Sequence, residues 1–119
     1  MAAEPRCRVI EPRESSSPDP LEVRQGSAVS VGERDSQWPG FLRCTAADGK
    51  RGWIAEEYLE IRDSSALLRR DYSANELTVN ENELLKILDA AGGWFWCENA
   101  SGERGWVPAL NVRLVTGSL

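Results

Sequence analysis

Short runs in which apolar and polar residues alternate make up most of the chain, and none of them has helical spacing. Clear examples are Leu21–Val23, Ala28–Val31, Leu77–Val79 and Leu84–Ile87. These runs are rich in β-branched and aromatic residues and are bounded by Gly, Pro, Asp, Asn or Ser, which is typical of strands separated by turns. The pattern predicts an all-β protein, and several short strands without a helix to cover an edge favour a closed barrel.

The strand pattern occurs twice along the chain. Residues 40–54 align without a gap with residues 93–107, and upstream Leu21–Val23 aligns with Leu77–Val79 in a register that differs by three residues. We attribute the difference to an insertion at Asp35–Pro39 in the first copy, since loops accept extra residues most easily. The identical pairs in the gapless stretch are Gly40/Gly93, Cys44/Cys97, Ala47/Ala100, Gly49/Gly102, Arg51/Arg104, Gly52/Gly105 and Trp53/Trp106.

The repeat predicts two five-stranded β-barrels in tandem. Their expected bounds are residues 1–61 and 66–119, with residues 62–65 as a short linker. Asp48–Gly49 and Ser101–Gly102 occupy the same place in both copies and predict tight two-residue hairpins, in which the glycine takes a positive φ.

Composition narrows the classes of function. With 14 Lys and Arg against 19 Asp and Glu, the net charge is −5, so a phosphate backbone would be repelled and we expect no nucleic-acid partner. No apolar stretch is long enough to cross a membrane and no signal-peptide pattern is present, so we expect a cytoplasmic monomer without a membrane partner.

Catalysis and metal binding are also disfavoured by the residue types. The chain has no histidine, which removes the commonest general base and the imidazole zinc ligand. Cys7, Cys44 and Cys97 are odd in number and widely spaced, so they predict buried thiols and not a disulfide framework. We therefore expect neither an enzyme nor a cofactor.

Four segments in the second copy resemble the Src-homology-3 (SH3) family. Residues 68–74 are similar to its A-L-Y-D-Y start, residues 75–79 to its acidic step, Gly93–Phe95 to its paired aromatics and Gly105–Pro108 to its G-x-F-P segment. The first copy is a more divergent version, and the whole chain resembles small bacterial tandem-SH3 proteins of undefined role. The resemblance implies binding of proline-rich peptides in a groove of flat aromatic rings.

Groove residues carried over from this resemblance are incomplete in both copies. In the second copy Tyr72, Trp94 and Pro108 match groove positions, whereas Arg70 and Asn111 stand where the family has tyrosines. In the first copy the matching residues are Phe41 and Tyr58, and the departures are Glu11, Arg13 and Ala55.

Three further residues are candidates for ligand contact. Asp71 and Glu76 lie in the first long loop, where the family uses carboxylates to bind an Arg or Lys of the ligand. Trp38 lies in the inserted loop and would be an exposed anchor, unless the loop folds back on its own barrel.

These features predict an interaction module that binds an extended peptide, proline-containing and with a basic residue, in a groove around Tyr72 and Trp94. One alternative is a binder of cell-wall peptides, as in bacterial SH3-type domains. Another is a structural module in which the two copies occlude each other's grooves, with Trp94 and Phe41 buried.

Overall fold

The computed structural model describes residues 5–15 and 19–115, and this part of the chain consists almost entirely of short strands. Its two helices are single 3-10 turns at Glu56–Tyr58 and Ala109–Asn111. The all-β prediction is confirmed. The strands are β1 (Arg6–Val9), β2 (Glu22–Val23), β3 (Ala28–Arg34), β4 (Phe41–Thr45), β5 (Arg51–Ala55), β6 (Leu59–Arg62), β7 (Ser65–Leu68), β8 (Tyr72–Ser73), β9 (Leu84–Ala91), β10 (Trp94–Glu98), β11 (Arg104–Pro108) and β12 (Val112–Val115).

These strands form two compact units, and the chain divides between them after Ser17 and after Asn75. We call the unit that contains residues 5–15 and 76–115 the end unit. The middle unit is the continuous stretch between the two divisions, described over residues 19–75.

The end unit contains a five-stranded sheet in the order β11-β10-β9-β1-β12. Strand β1 is antiparallel to both of its neighbours, with Cys7 opposite Leu85 of β9 and opposite Leu114 of β12. Cys7 and Val9 point into the core while Arg6 and Arg8 point to solvent, as strand alternation requires. They pack in a core of Cys7, Val9, Leu77, Val79, Leu85, Cys97, Val107 and Val112.

The middle unit contains a matching sheet in the order β5-β4-β3-β7-β6, together with a two-stranded ribbon of β2 and β8. Strand β7 lies between β3 and β6, with Ala66 opposite both Val29 and Ile61. Ala66 and Leu68 are the buried positions of β7, and they correspond to Cys7 and Val9 of β1.

Each sheet therefore contains the first strand of the other sequence copy. The predicted division into residues 1–61 and 66–119 differs from the compact units, and residues 62–65 form the turn of the β6–β7 hairpin inside the middle unit. Asp63 adopts a positive φ of 57° in this turn, and the Ser65 hydroxyl donates to the Arg62 carbonyl. Both first strands bury two apolar residues at alternate positions, so their hydrophobic patterns are alike.

Closed barrels were also expected, and this is wrong. In the described part of the chain, the outermost strands are β11 and β12 in one sheet and β5 and β6 in the other. The strands of each of these two pairs are not hydrogen-bonded to each other, so the sheets are open. Among the turns, Gly49 and Gly102 have positive φ values of 89° and 85°, as predicted. Their loops are one residue longer than predicted. The carbonyls of Ala46 and Asn99 accept from the amides of Gly49 and Gly102, and the amides of Ala46 and Asn99 donate to the carbonyls of residues 50 and 103, which leaves three residues in each loop.

The predicted insertion is present. Residues 35–40 connect β3 to β4, whereas only Gly92 and Gly93 connect the corresponding strands β9 and β10. Both of these glycines have a positive φ, which a two-residue hairpin turn requires.

Candidate functional site

The middle unit brings together two tyrosines from different sequence copies. The rings of Tyr58 and Tyr72 meet edge to face, with centroids 4.9 Å apart and an interplanar angle of 70°. The Tyr72 hydroxyl donates to the Trp53 carbonyl at 2.9 Å, and the Arg70 guanidinium lies 4.2 Å from the centroid of the Tyr58 ring. The arginine at the first-tyrosine position thus covers the ring that the family would present to a ligand.

The inserted loop beside this pair is held in place by polar contacts. The Asp35 carboxylate accepts from the amides of Gln37 and Trp38 at 2.8 and 3.0 Å. Arg34 donates to the Pro39 carbonyl and to Glu56 at 2.7 Å, which ties the loop to the 3-10 turn that ends at Tyr58. Trp38 itself is half-buried, so it has a side that faces solvent.

The end unit has a second aromatic site, built on Trp94. Trp94 lies opposite Pro108 in the β10–β11 ladder. The Arg13 guanidinium lies 5.0 Å from the Trp94 ring centroid and donates to Glu76 at 3.1 Å. Asn111 donates from its side-chain amide to the Glu11 carbonyl at 3.1 Å. Three of the five departures from the family pattern, Glu11, Arg13 and Asn111, are therefore in one unit.

The predicted site residues are divided between the two units. Tyr72 and Trp94 were assigned to one groove; Tyr72 belongs to the middle unit and Trp94 to the end unit. The middle unit has Trp38, Phe41, Tyr58, Arg70, Asp71 and Tyr72; the end unit has Glu76, Trp94, Pro108 and Asn111. Arg13 was treated as a departure from the family pattern and missed as a site residue. The signal available in the sequence was that Arg13 departs from the family pattern of groove residues.

The predicted aromatic faces are largely covered. Phe41 is 6% exposed, Trp94 is 7% exposed, and Tyr58 and Tyr72 are each 5% exposed, so none of these rings forms an open shelf. The two carboxylates are engaged as well, since Asp71 accepts from the Gln25 amide at 2.8 Å and Glu76 pairs with Arg13. A ligand at either site has to use the edges of these rings or displace an arginine.

The remaining tryptophans form equivalent pairs on the two sheets. Arg43 and Trp53 are directly opposite each other in the β4–β5 ladder, with the guanidinium 5.3 Å from the ring centroid. At the matching place in the β10–β11 ladder, Trp96 and Trp106 have centroids 5.3 Å apart. These cross-strand contacts indicate packing as the role of Trp53 and Trp106.

The three thiols are buried, as predicted. Cys7 and Cys97 share the end-unit core, and the hydrogen bond between them raises the pKa of Cys97 and lowers that of Cys7. Burial raises the pKa of Cys44 to about 11. Within residues 5–15 and 19–115, no three His, Cys, Asp or Glu side chains cluster in a way that could hold a metal ion, and no helix of this part is long and apolar enough to cross a membrane.

Comparison with known proteins identifies the family of the two sequence copies. The profile of a family described as "Variant SH3 domain" matches residues 6–62 and 69–115. The chain therefore belongs to this family and carries two such domains in tandem. SH3 domains are protein-interaction modules.

One curated relative is similar to part of the chain. The high osmolarity signaling protein SHO1 of Saccharomyces cerevisiae strains YJM789, RM11-1a and AWRI1631 is 36% identical over 47 residues. This match covers 40% of the present chain and 13% of the relative, so the chain corresponds to a small part of that protein's length. No solved structure gave a significant match.

Proposed function

We propose that the protein acts by binding and not by catalysis, and that the middle unit binds an extended peptide at the loop that carries the half-buried Trp38, with the buried Tyr58–Tyr72 pair as its support. The observation that carries this proposal is the Tyr58–Tyr72 ring pair at 4.9 Å, beside a loop fixed to the 3-10 turn by Arg34 and Glu56. Membership of a family of interaction modules supports the same role.

The chemistry of this surface favours a particular kind of peptide. The half-buried indole of Trp38 suits the flat pyrrolidine rings of an extended, proline-containing segment, whose preformed shape reduces the entropic cost of binding. The carboxylates of Asp71 and Glu57 are exposed on this unit, and the net charge of −5 attracts a basic ligand at long range. A proline-containing peptide with an Arg or Lys is the proposed ligand class.

An array of proline-containing peptides tests the proposal, with basic and acidic residues placed in turn beside the proline. We expect binders among the basic members, and we expect the Trp38 indole N–H resonance to shift on titration. Trp38→Ala should weaken binding by tenfold or more, because it removes an aromatic anchor. Trp96→Ala removes an indole of the end unit that is also half-buried and should leave the affinity unchanged.

The proposal is wrong if no member of the array binds, or if the bound peptide moves Trp96 and leaves Trp38 unmoved. Equal loss of affinity in both variants would also contradict it, since the effect would then be one of general stability. Thermal unfolding of each variant separates that case from loss of a contact.

A further inference from the structure

The outer face of the middle-unit sheet has two exposed arginines on neighbouring strands, Arg43 of β4 and Arg51 of β5. In the β4–β5 ladder Arg43 lies opposite Trp53, and Arg51 lies opposite Thr45. The two arginines are therefore diagonal neighbours on one face of the sheet. Together with Thr45 they line an open groove with a volume of about 320 Å³.

The equivalent face of the end unit contains a carboxylate between its cations. Glu98 of β10 lies opposite Arg104 of β11 and opposite Lys86 of β9. The Glu98 carboxylate accepts from the Arg104 guanidinium at 2.9 Å and lies 3.9 Å from the Lys86 ammonium. Its side chain is only 20% exposed, so this carboxylate is held in place between two neighbouring strands.

The middle unit has the arginine without the carboxylate. In the alignment of the two copies, Arg51 corresponds to Arg104 and Thr45 corresponds to Glu98. Among residues 5–15 and 19–115, the Arg51 side chain has no hydrogen-bond or ion-pair partner. The place of the carboxylate is taken by a shorter, uncharged hydroxyl, which leaves room and positive charge for an acidic group from another molecule.

The strand beside the arginines keeps the groove open. Gly32 of β3 lines the groove, and a Cβ atom at this position would lie 3.2 Å from the Arg43 carbonyl oxygen, so a larger residue would crowd Arg43. Ser30 lies opposite Thr45 and adds a second hydroxyl to the row that ends at Arg51. Glu33 also lines the groove, so two guanidiniums face one carboxylate there and the local charge is positive.

We propose that this groove binds an extended acidic peptide through two carboxylates on alternate residues, one paired with Arg51, as Glu98 is paired with Arg104, and one paired with Arg43. Diagonal neighbours of an antiparallel pair are about 7–8 Å apart. Alternate side chains of an extended peptide share one face at a spacing of about 6.4–6.8 Å, so the two spacings match. Two carboxylates are required because a single exposed ion pair adds little affinity.

The net charge of −5 does not prevent this interaction at physiological ionic strength. Charges more than about 8 Å apart are largely screened under that condition, so the arginines in contact with the ligand outweigh the distant carboxylates. This inference concerns the sheet face and an acidic ligand, and it does not depend on the function proposed for the Trp38 loop.

Titration with short peptides at physiological salt tests the proposal. The Trp53 indole N–H resonance is the reporter, because the Arg43 guanidinium lies 5.3 Å from the centroid of this ring. We expect acetyl-Thr-Glu-Thr-Glu-Thr-amide to shift this resonance saturably, and we expect no shift with glutamines in place of the glutamates. Acetyl-Thr-Thr-Glu-Glu-Thr-amide should bind more weakly, because adjacent side chains of an extended peptide point to opposite sides.

The variants follow from the comparison of the two units. Thr45→Glu supplies a carboxylate from within the unit, as Glu98 does in the end unit, and should weaken binding of the acidic peptide at least about threefold. Arg51→Gln should weaken it to a similar extent, whereas Glu33→Gln should strengthen it. Arg104→Gln removes the corresponding arginine of the end unit and should leave the affinity unchanged.

The proposal is overturned if the acidic peptide leaves Trp53 unmoved, or if the glutamine peptide or the peptide with adjacent glutamates binds equally well. It is also overturned if Thr45→Glu binds as tightly as the wild type, or if Arg104→Gln weakens binding as much as Arg51→Gln does. If Thr45→Glu fails to fold, Arg51→Gln decides in its place. Since the peptide test of the Trp38 loop uses basic ligands and a different indole, each proposal can fail without the other.

Discussion

Tyr72 donates its hydroxyl hydrogen to the carbonyl of Trp53, a residue of the opposite sequence copy. Together with the ring contact to Tyr58, this bond shows that the opening segment of the second copy packs against residues of the first copy. If each copy folded on its own residues, the position of Tyr58 would be taken by Asn111. The energetic coupling between the Tyr58 and Tyr72 side chains therefore measures directly whether the opening segments are exchanged between the two copies.

We expect a double-mutant cycle of Tyr58→Leu and Tyr72→Leu to give a coupling of about 0.5–1.5 kcal/mol in the free energy of unfolding, the usual range for an aromatic pair. Denaturant titration measures it. The control cycle joins Tyr72→Leu to Asn111→Ala and should give a coupling near zero. Coupling of Tyr72 to Asn111 and not to Tyr58 would show that the copies are contiguous domains.

Substitution of the buried residues of β1 and β7 tests whether each of these strands belongs to the sheet of the other sequence copy. Val9→Ala removes two methyl groups from the end-unit core and should cost about 2 kcal/mol. Because β1 pairs with β9 and β12, we expect amide hydrogen exchange to accelerate more than about tenfold in those strands of the second copy.

Leu68→Ala is the matched variant, since Leu68 is the buried residue of β7 that corresponds to Val9. It should accelerate exchange in β3 and β6, which belong to the first copy. Faster exchange in β3 after Val9→Ala, with β9 unaffected, would contradict the strand order described above.

The thiol of Cys44 gives the stability of the protein a pH dependence at high pH. Its pKa is raised by burial from an ordinary value of 9.0 to about 11, so the unfolded chain loses this proton first. The contribution is fully present below pH 9 and is lost as the pH rises toward 11, at about 1.4 kcal/mol per pH unit.

Denaturant titrations at pH 8 and pH 10.5 check this dependence. The stability difference between the wild type and Cys44→Ala should shrink by about 1–2 kcal/mol over that interval. Other groups titrate in the same range in both proteins, so only the difference is informative. A difference that stays constant would mean that Cys44 is accessible to water in the folded state.

The order of the Trp38 loop should depend on one carboxylate. Asp35→Ala removes the acceptor of the Gln37 and Trp38 amides, and we expect faster hydrogen exchange at both amides and weaker peptide binding. Asp48→Ala is the matched control, because Asp48 accepts from the Lys50 amide in another loop of the same unit. If Asp48→Ala weakens binding equally, the loop of Trp38 has no special role.

Much of the fold could be predicted from the sequence because strand alternation and turn glycines are local signals. The Asp35–Pro39 insertion and the positive φ of Gly49 and Gly102 could be predicted for this reason. The partner of a first strand is not a local property. Cys7 and Val9 satisfy the same apolar positions as Ala66 and Leu68, so the pattern of β1 is compatible with either sheet.

The candidate site depends on the same long-range pairing. Tyr72, Trp94 and Pro108 stay predicted groove residues, and their grouping assumed contiguous copies. Two side-chain pairs join residues of different copies: Arg13 forms an ion pair with Glu76, and Tyr72 packs on Tyr58. Such complementarity is recognisable only when the long-range contact is known.

The hairpin turn at residues 62–65 has a practical consequence for dissection of the molecule. A protease cut there leaves two fragments, and neither fragment contains all the strands of either five-stranded sheet. The nicked protein would remain one particle until denatured, and halves produced separately at the boundary of the repeat would each be missing a strand. Mixing the two halves would restore both.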